Sequence, residues 1–210
     1  MIHCTALQWG PVNRPLTPPL DLHLPAGSFT AITGPNGTGK TTLLKVIAGL
    51  QKPLAGKLEV NLGRGGRLGY LVQQQAIDRQ FPVQLGELVS AGFWGRRLSR
   101  ACRQAQLEQA LATWQLEGLA GLSLQAMSGG QLQRALLARM SLTEAPLLLL
   151  DEPDANLDEA GQAVLWEQVR RWHGEGRTLV VVCHDLASVQ RHAQCCLSLG
   201  PDALHLSQVA

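Results

Sequence analysis

The run Phe29-Thr30-Ala31-Ile32-Thr33-Gly34-Pro35-Asn36-Gly37-Thr38-Gly39-Lys40-Thr41-Thr42 decides the fold. Its first five residues are uncharged and rich in aromatic and β-branched side chains, which reads as a buried strand. Gly34 to Thr41 then satisfy G-x-x-x-x-G-K-[ST] in full. Leu43, Leu44, Val46 and Ile47 continue as a helix, with Gly49 as its terminator. Each residue type has a physical reason. Glycines open backbone conformations closed to other residues, so successive N–H groups converge on phosphate oxygens. The helix N-terminus adds partial positive charge. Lys40 supplies a mobile point charge for β/γ-phosphates, and Thr41 a hydroxyl for Mg2+. A chance glycine-rich turn would not be framed by strand and helix in this order. By itself the loop implies only that a nucleoside triphosphate binds.

Moving outward, a second buried run, Leu147–Leu150, delivers Asp151 and Glu152 at its end. Five of the 16 carboxylates fall between Asp151 and Glu159. A carboxylate at the end of a buried strand is costly unless it meets a cation, so Asp151 is expected in the Mg2+ shell, through water. Glu152 is then placed as general base for a water attacking the γ-phosphate. Asp154, Asp158 and Glu159 read equally well as a solvated loop, with Asp158 as a helix N-cap.

Met127-Ser128-Gly129-Gly130-Gln131 opens a helical pattern through Leu132, Ala135, Leu136 and Met140. Ser128 and Gln131 fit a capping box. The two glycines each cost roughly 1 kcal/mol of helix propensity relative to Ala, so something must favour bare backbone there; close approach to an anion is one such reason. Further strands are expected at Leu58–Val60, Leu68–Val72 and Leu179–Cys183. From Phe81 to about Arg139 the pattern is mainly helical, with Leu107, Ala110, Leu111 and Trp114 on one helix face. A helical subdomain inserted into an α/β core follows.

Composition narrows the function classes. Charged residues make up 16% of 210, and hydrophobic residues 45%, which argues against disorder. Net charge is +2 without long runs of either sign, so a nucleic-acid partner is not expected. No wholly apolar run approaches the roughly 20 residues of a bilayer span, and Met1-Ile2-His3-Cys4 lacks the pattern of a secretory leader. The five cysteines, Cys4, Cys102, Cys183, Cys195 and Cys196, contain no CxxC and read as buried thiols of a cytoplasmic protein.

With these pieces in order, the chain resembles an ATP-binding subunit of the ABC transporter family, from Leu7 to about Leu199. The phosphate loop is Gly34–Thr42. Gln73 matches the Q-loop glutamine, and Met127–Gln131 the LSGGQ signature with Met for Leu. Leu147–Pro153 matches the Walker B strand with its catalytic glutamate, Asn156-Leu157-Asp158 the D-loop, and His184-Asp185 the switch histidine. Trp9 stands where the family places an aromatic that stacks on adenine. Departures are Leu71-Val72 before the glutamine, the repeated Gln73-Gln74-Gln75, Ala155 in the D-loop and Cys183 before the histidine. None removes a catalytic group.

The resemblance implies a P-loop NTPase core with a mainly parallel sheet, an N-terminal antiparallel β subdomain and an inserted helical subdomain. These form one domain, 1–210, with core and β subdomain at about 1–75 and 145–210 and the helical subdomain at about 76–144. It implies a Mg2+-dependent ATPase in which Glu152, His184, Lys40 and Gln73 are catalytic, and Thr41, Gln73 and Asp151 hold the metal. Nucleotide contacts fall to Trp9, to Gly34–Thr42, to Ser128, Gly129, Gly130 and Gln131, and to Asp158. Lys40 and Ser128 are 88 residues apart and belong to different subdomains. One chain therefore does not easily present both helix N-termini to one phosphate, and a second copy pairing head to tail across ATP is expected. Other implied partners are an integral membrane permease and, for an importer, a periplasmic or surface substrate-binding protein, with the chain at the cytoplasmic face of the membrane. Asp78 to Val89 resembles the D-x-x-F-P-x-x-x-x-E-x-V segment of zinc, manganese and iron importer subunits. An exporter subunit and a soluble cofactor-assembly ATPase are the alternatives.

Overall fold

The computed structural model describes residues 1–63, 66–72, 77–183, 192–200 and 203–208. The chain divides into two compact units, one of 1–70, 145–152 and 170–210 and one of 71–144 and 153–169. The second unit thus takes in 153–169, which the sequence reading left with the core.

In the first unit, β1 (Ile2–Gln8), β2 (Leu20–Leu24) and β4 (Ala55–Val60) form an antiparallel sheet in the order β2-β1-β4. Ile2, Cys4, Leu22 and Leu24 point inward, and His3 and His23 point out, the period of two that a one-sided sheet requires. Ala6, at φ 47°, breaks that alternation where the register shifts.

The larger sheet runs β5 (Leu68–Leu71), β6 (Leu147–Asp151), β7 (Thr178–Val182), β3 (Phe29–Thr33), β8 (Cys195–Leu199) and β9 (Leu204–Gln208). β6, β7, β3 and β8 are parallel neighbours, and β9 closes the edge antiparallel to β8. Every residue of β3, β6 and β7 is buried. Burial on both faces explains why four leucines, good helix formers, make β6 a strand: what decides is the fit to a covered sheet. Helix α1 (Lys40–Ile47) follows β3 and buries Leu43, Leu44, Val46 and Ile47 in a core shared with Trp9, Leu147, Leu149, Val180 and Val182.

The second unit is helical. It holds α2 (Leu85–Ser90), α3 (Arg100–Thr113), α4 (Gly129–Ser141) and the start of α5 (Glu159–Gly174), with short 3-10 turns at Ala91–Phe93 and Leu124–Ala126. α4 is its centre: Leu132, Ala135, Leu136, Leu137, Ala138 and Met140 are all buried. Ala110 and Leu111 of α3 and the following Trp114 are buried as the periodicity predicts. No described helix is long and apolar enough to cross a membrane.

Candidate functional site

In the first unit the chemistry gathers at the carboxyl ends of β3, β6 and β7, the edge at which open α/β sheets bind ligands. The chain leaves β3 at Thr33 and enters α1 through Gly34–Gly39. Gly39, the residue before α1, sits at φ 84°, and a Cβ there would lie 2.7 Å from both Trp9 Nε1 and Leu16 Cδ1. Only glycine fits. Lys40 is buried, and its Nζ donates to Gly34 O at 2.7 Å and Pro35 O at 3.0 Å. Thr38 Oγ1 donates to Pro35 O at 2.9 Å. The loop is thus wrapped around the lysine, whose charge rests on carbonyls that a phosphate oxygen can outbid.

Thr41 Oγ1 donates to Asp151 Oδ1 at 3.2 Å, across 110 residues of chain. Asp151 is 1% exposed, and its other oxygen, Oδ2, has no hydrogen-bond partner. Burial pushes the Asp151 carboxyl above its ordinary range; the Thr41 hydrogen bond pulls the other way. A buried carboxylate with an orphaned oxygen beside a hydroxyl is an all-oxygen donor set that fits Mg2+, which takes one or two protein ligands and leaves the rest to phosphate and water.

Glu152 follows at φ 50°, a left-handed backbone that few residues other than glycine adopt, while its N–H donates to Val182 O at 3.1 Å. That kink ends β6 beside the last residue of β7. Backbone strain held at one residue by its neighbours is a common mark of a functional position. Gln73 and His184 lie outside the described residues; β5 and β7 end two residues before each.

Trp9 corrects an expectation. It is fully buried, with Nε1 donating to Gly39 O at 3.0 Å. An indole without exposed surface offers adenine no face; it braces the phosphate loop. In sequence the two roles look alike, because either places an aromatic just after β1.

In the second unit, Ser128 caps α4 as expected. Its Oγ accepts from Gln131 N at 3.1 Å, and Ser128 N donates to Gln131 Oε1 at 2.9 Å. A cavity of about 330 Å³ is lined by Ser128, Gly130, Gln131, Arg134, Asn156 and Asp158. A Cβ on Gly130 would come 3.1 Å from Asn156 O, so bare backbone here lets the D-loop pack on the helix start. Asp158 Oδ1 accepts from Gly161 N at 3.0 Å and from Arg134 at 2.5 Å. The Gly161 amide, then the guanidinium, hold that carboxyl below its usual range. Arg134 also donates to Gln115 Oε1 at 2.9 Å, Arg79 to Met127 O at 3.1 Å, and buried Gln133 to Pro153 O at 2.8 Å. Sequence reading missed Arg79, Gln133 and Arg134. Arg134 had a signal, being one helical turn beyond Gln131; Arg79 and Gln133 act through contacts no spacing encodes.

Comparison with known proteins places the chain in a family. Residues 18–155 match the ABC transporter family. A probable metal transport system ATP-binding protein of Thermotoga maritima is 35% identical over 178 residues, 83% of this chain and 70% of that protein. The zinc import ATP-binding protein ZnuC of Roseobacter denitrificans is 36% identical over 168 residues, 80% of this chain and 62% of that protein. The chain therefore spans about two thirds of the length of these relatives. A dimeric ATP-binding cassette in a post-hydrolysis state with ADP and phosphate superimposes with a TM-score of 0.85 at 22% identity, over 100% of this chain and 99% of that one.

Proposed function

The chain belongs to the ABC transporter family, whose ATP-binding subunits are ATPases, and from that premise we propose that it hydrolyses ATP to power import of a metal ion or metal chelate. The observation that carries the chemistry is the first unit's cluster: phosphate loop, Lys40, the Thr41–Asp151 pair with its orphaned oxygen, and the strained Glu152. Two related subunits named for metal and zinc transport support the cargo class. So does the segment Asp78–Val89, in which Phe81 is 62% exposed.

Lys40 exchanges the carbonyls of Gly34 and Pro35 for the β/γ-phosphates, and the loop amides hold the remaining oxygens. Thr41 and Asp151 hold Mg2+, with Gln73 as a further contact; when bound, the metal neutralises charge on the phosphates. Glu152 takes a proton from the attacking water. His184 contacts the γ-phosphate and, with Gln73, reports its presence. Ser128, Gly129, Gly130, Gln131 and Asp158 serve the nucleotide held by a second copy, so ATP joins two subunits and hydrolysis releases them. An integral permease carries the cargo, a substrate-binding protein delivers it, and this subunit works at the cytoplasmic face of the membrane.

Deletion of the gene is expected to lower cellular Zn, Mn or Fe by elemental analysis, with restoration by the wild-type chain and not by Glu152→Gln. Unchanged metal content, with co-purification of an exporter-type permease, would remove the importer reading.

A further inference from the structure

We propose that His3 and His23 form a surface site for a borderline divalent transition-metal ion such as Zn2+, separate from the Mg2+ of the nucleotide site. The two residues stand directly opposite each other on β1 and β2 of the antiparallel sheet. Residues so paired have Cβ atoms about 4.5–5.5 Å apart. Both side chains are exposed, on the face opposite the buried Ile2, Cys4, Leu22 and Leu24. Their ring centroids are 5.7 Å apart at 64°.

That separation is the telling quantity. With Zn–N of about 2.0–2.1 Å, two imidazoles sharing an ion have their centroids about 5–6 Å apart. The rings already stand at bridging distance, and only rotation about side-chain torsions is needed to aim a nitrogen from each at a common point. Strand pairing has fixed both backbones in advance, so little ordering remains to be done on binding. Glu59 on β4, also exposed, stands opposite His3 on its other side and adds negative charge to the row. Among the described residues no group of three or more His, Cys, Asp and Glu is set to hold a metal ion. The site is therefore a two-histidine one, completed by water.

Imidazole ligands suit Zn2+, Cu2+ and Ni2+, whereas Mg2+ prefers oxygen, so millimolar Mg2+ does not compete. The proposal stands apart from the cargo assignment, since it rests on the β1–β2 pair alone.

The test is calorimetric titration of the untagged, chelator-treated full chain with ZnCl2 in excess Mg2+. One dominant site is expected. His3→Gln and His23→Gln should each weaken it by at least about tenfold, since even outer-shell partners of a metal are typically worth about 10–100-fold. Both variants are expected to hydrolyse ATP as the wild type does, which shows them folded. Cys195→Ser/Cys196→Ser should leave the site unchanged. Zinc binding that survives both histidine variants, binding lost in the cysteine variant instead, or no binding to the wild type would each overturn the proposal.

Discussion

Glu152→Gln is expected to bind ATP with near-wild-type affinity and to turn it over about 100-fold more slowly or worse, the usual contribution of a positioned general base. The amide keeps the size of the carboxylate but cannot accept a proton. Geometry explains why the loss should fall on turnover. Glu152 sits at φ 50° directly after Asp151, and its amide is held by Val182 O. Lys40, bonded to Gly34 O and Pro35 O, and the Thr41–Asp151 pair are other residues, which the substitution leaves intact. Single-turnover hydrolysis and equilibrium nucleotide binding, measured side by side, separate the two effects. Equal hydrolysis by variant and wild type would remove Glu152 from the role of base.

Lys40→Met should act on the other half of the chemistry. Charge-assisted hydrogen bonds contribute about 1.5–3 kcal/mol, so ATP affinity should fall by about 10- to 150-fold, with hydrolysis falling further because the same charge stabilises the transferring phosphoryl group. Methionine keeps an unbranched apolar stem at this buried position, and the fold should survive. The carbonyls of Gly34 and Pro35 lose their Nζ partner, which makes the empty loop looser without unfolding the sheet beneath it. Fluorescent nucleotide titration checks affinity, and circular dichroism checks folding. Unaltered ATP affinity in a folded variant would mean that Lys40 closes the loop and does nothing for phosphate.

The parts of the fold that follow from local pattern were readable from the chain. β3, β6 and β7 are short apolar runs between turn signals, and burial on both faces makes them so. Ser128 and Gln131 close the capping box that their spacing predicts. What local pattern could not supply is order and pairing. β8 stands beside β3 although more than 160 residues separate their partners Thr30 and Cys195. β1 escaped detection as a strand because its apolar alternation, Ile2, Cys4 and Ala6, lasts only to Leu7, which follows Ala6 directly where the bulge shifts the register. Residues 153–169 join the helical unit through contacts distant in sequence, Gln133 with Pro153 and Arg134 with Asp158. Trp9 shows the limit most clearly: its residue type suits a stacking platform and a buried brace equally, and only its complete burial under Gly39 separates them.

Completion of each ATP site by a second copy is open to one direct measurement. Lys40 and the phosphate loop belong to one compact unit, and Ser128, Gly130, Gln131 and Asp158 line a cavity of the other. If each ATP is completed by a second copy, a variant that binds but does not hydrolyse it must accumulate as the pair. Sedimentation of Glu152→Gln should show monomer without nucleotide, dimer with ATP and monomer again with ADP. A variant that binds ATP stoichiometrically yet sediments as a monomer throughout would contradict the account.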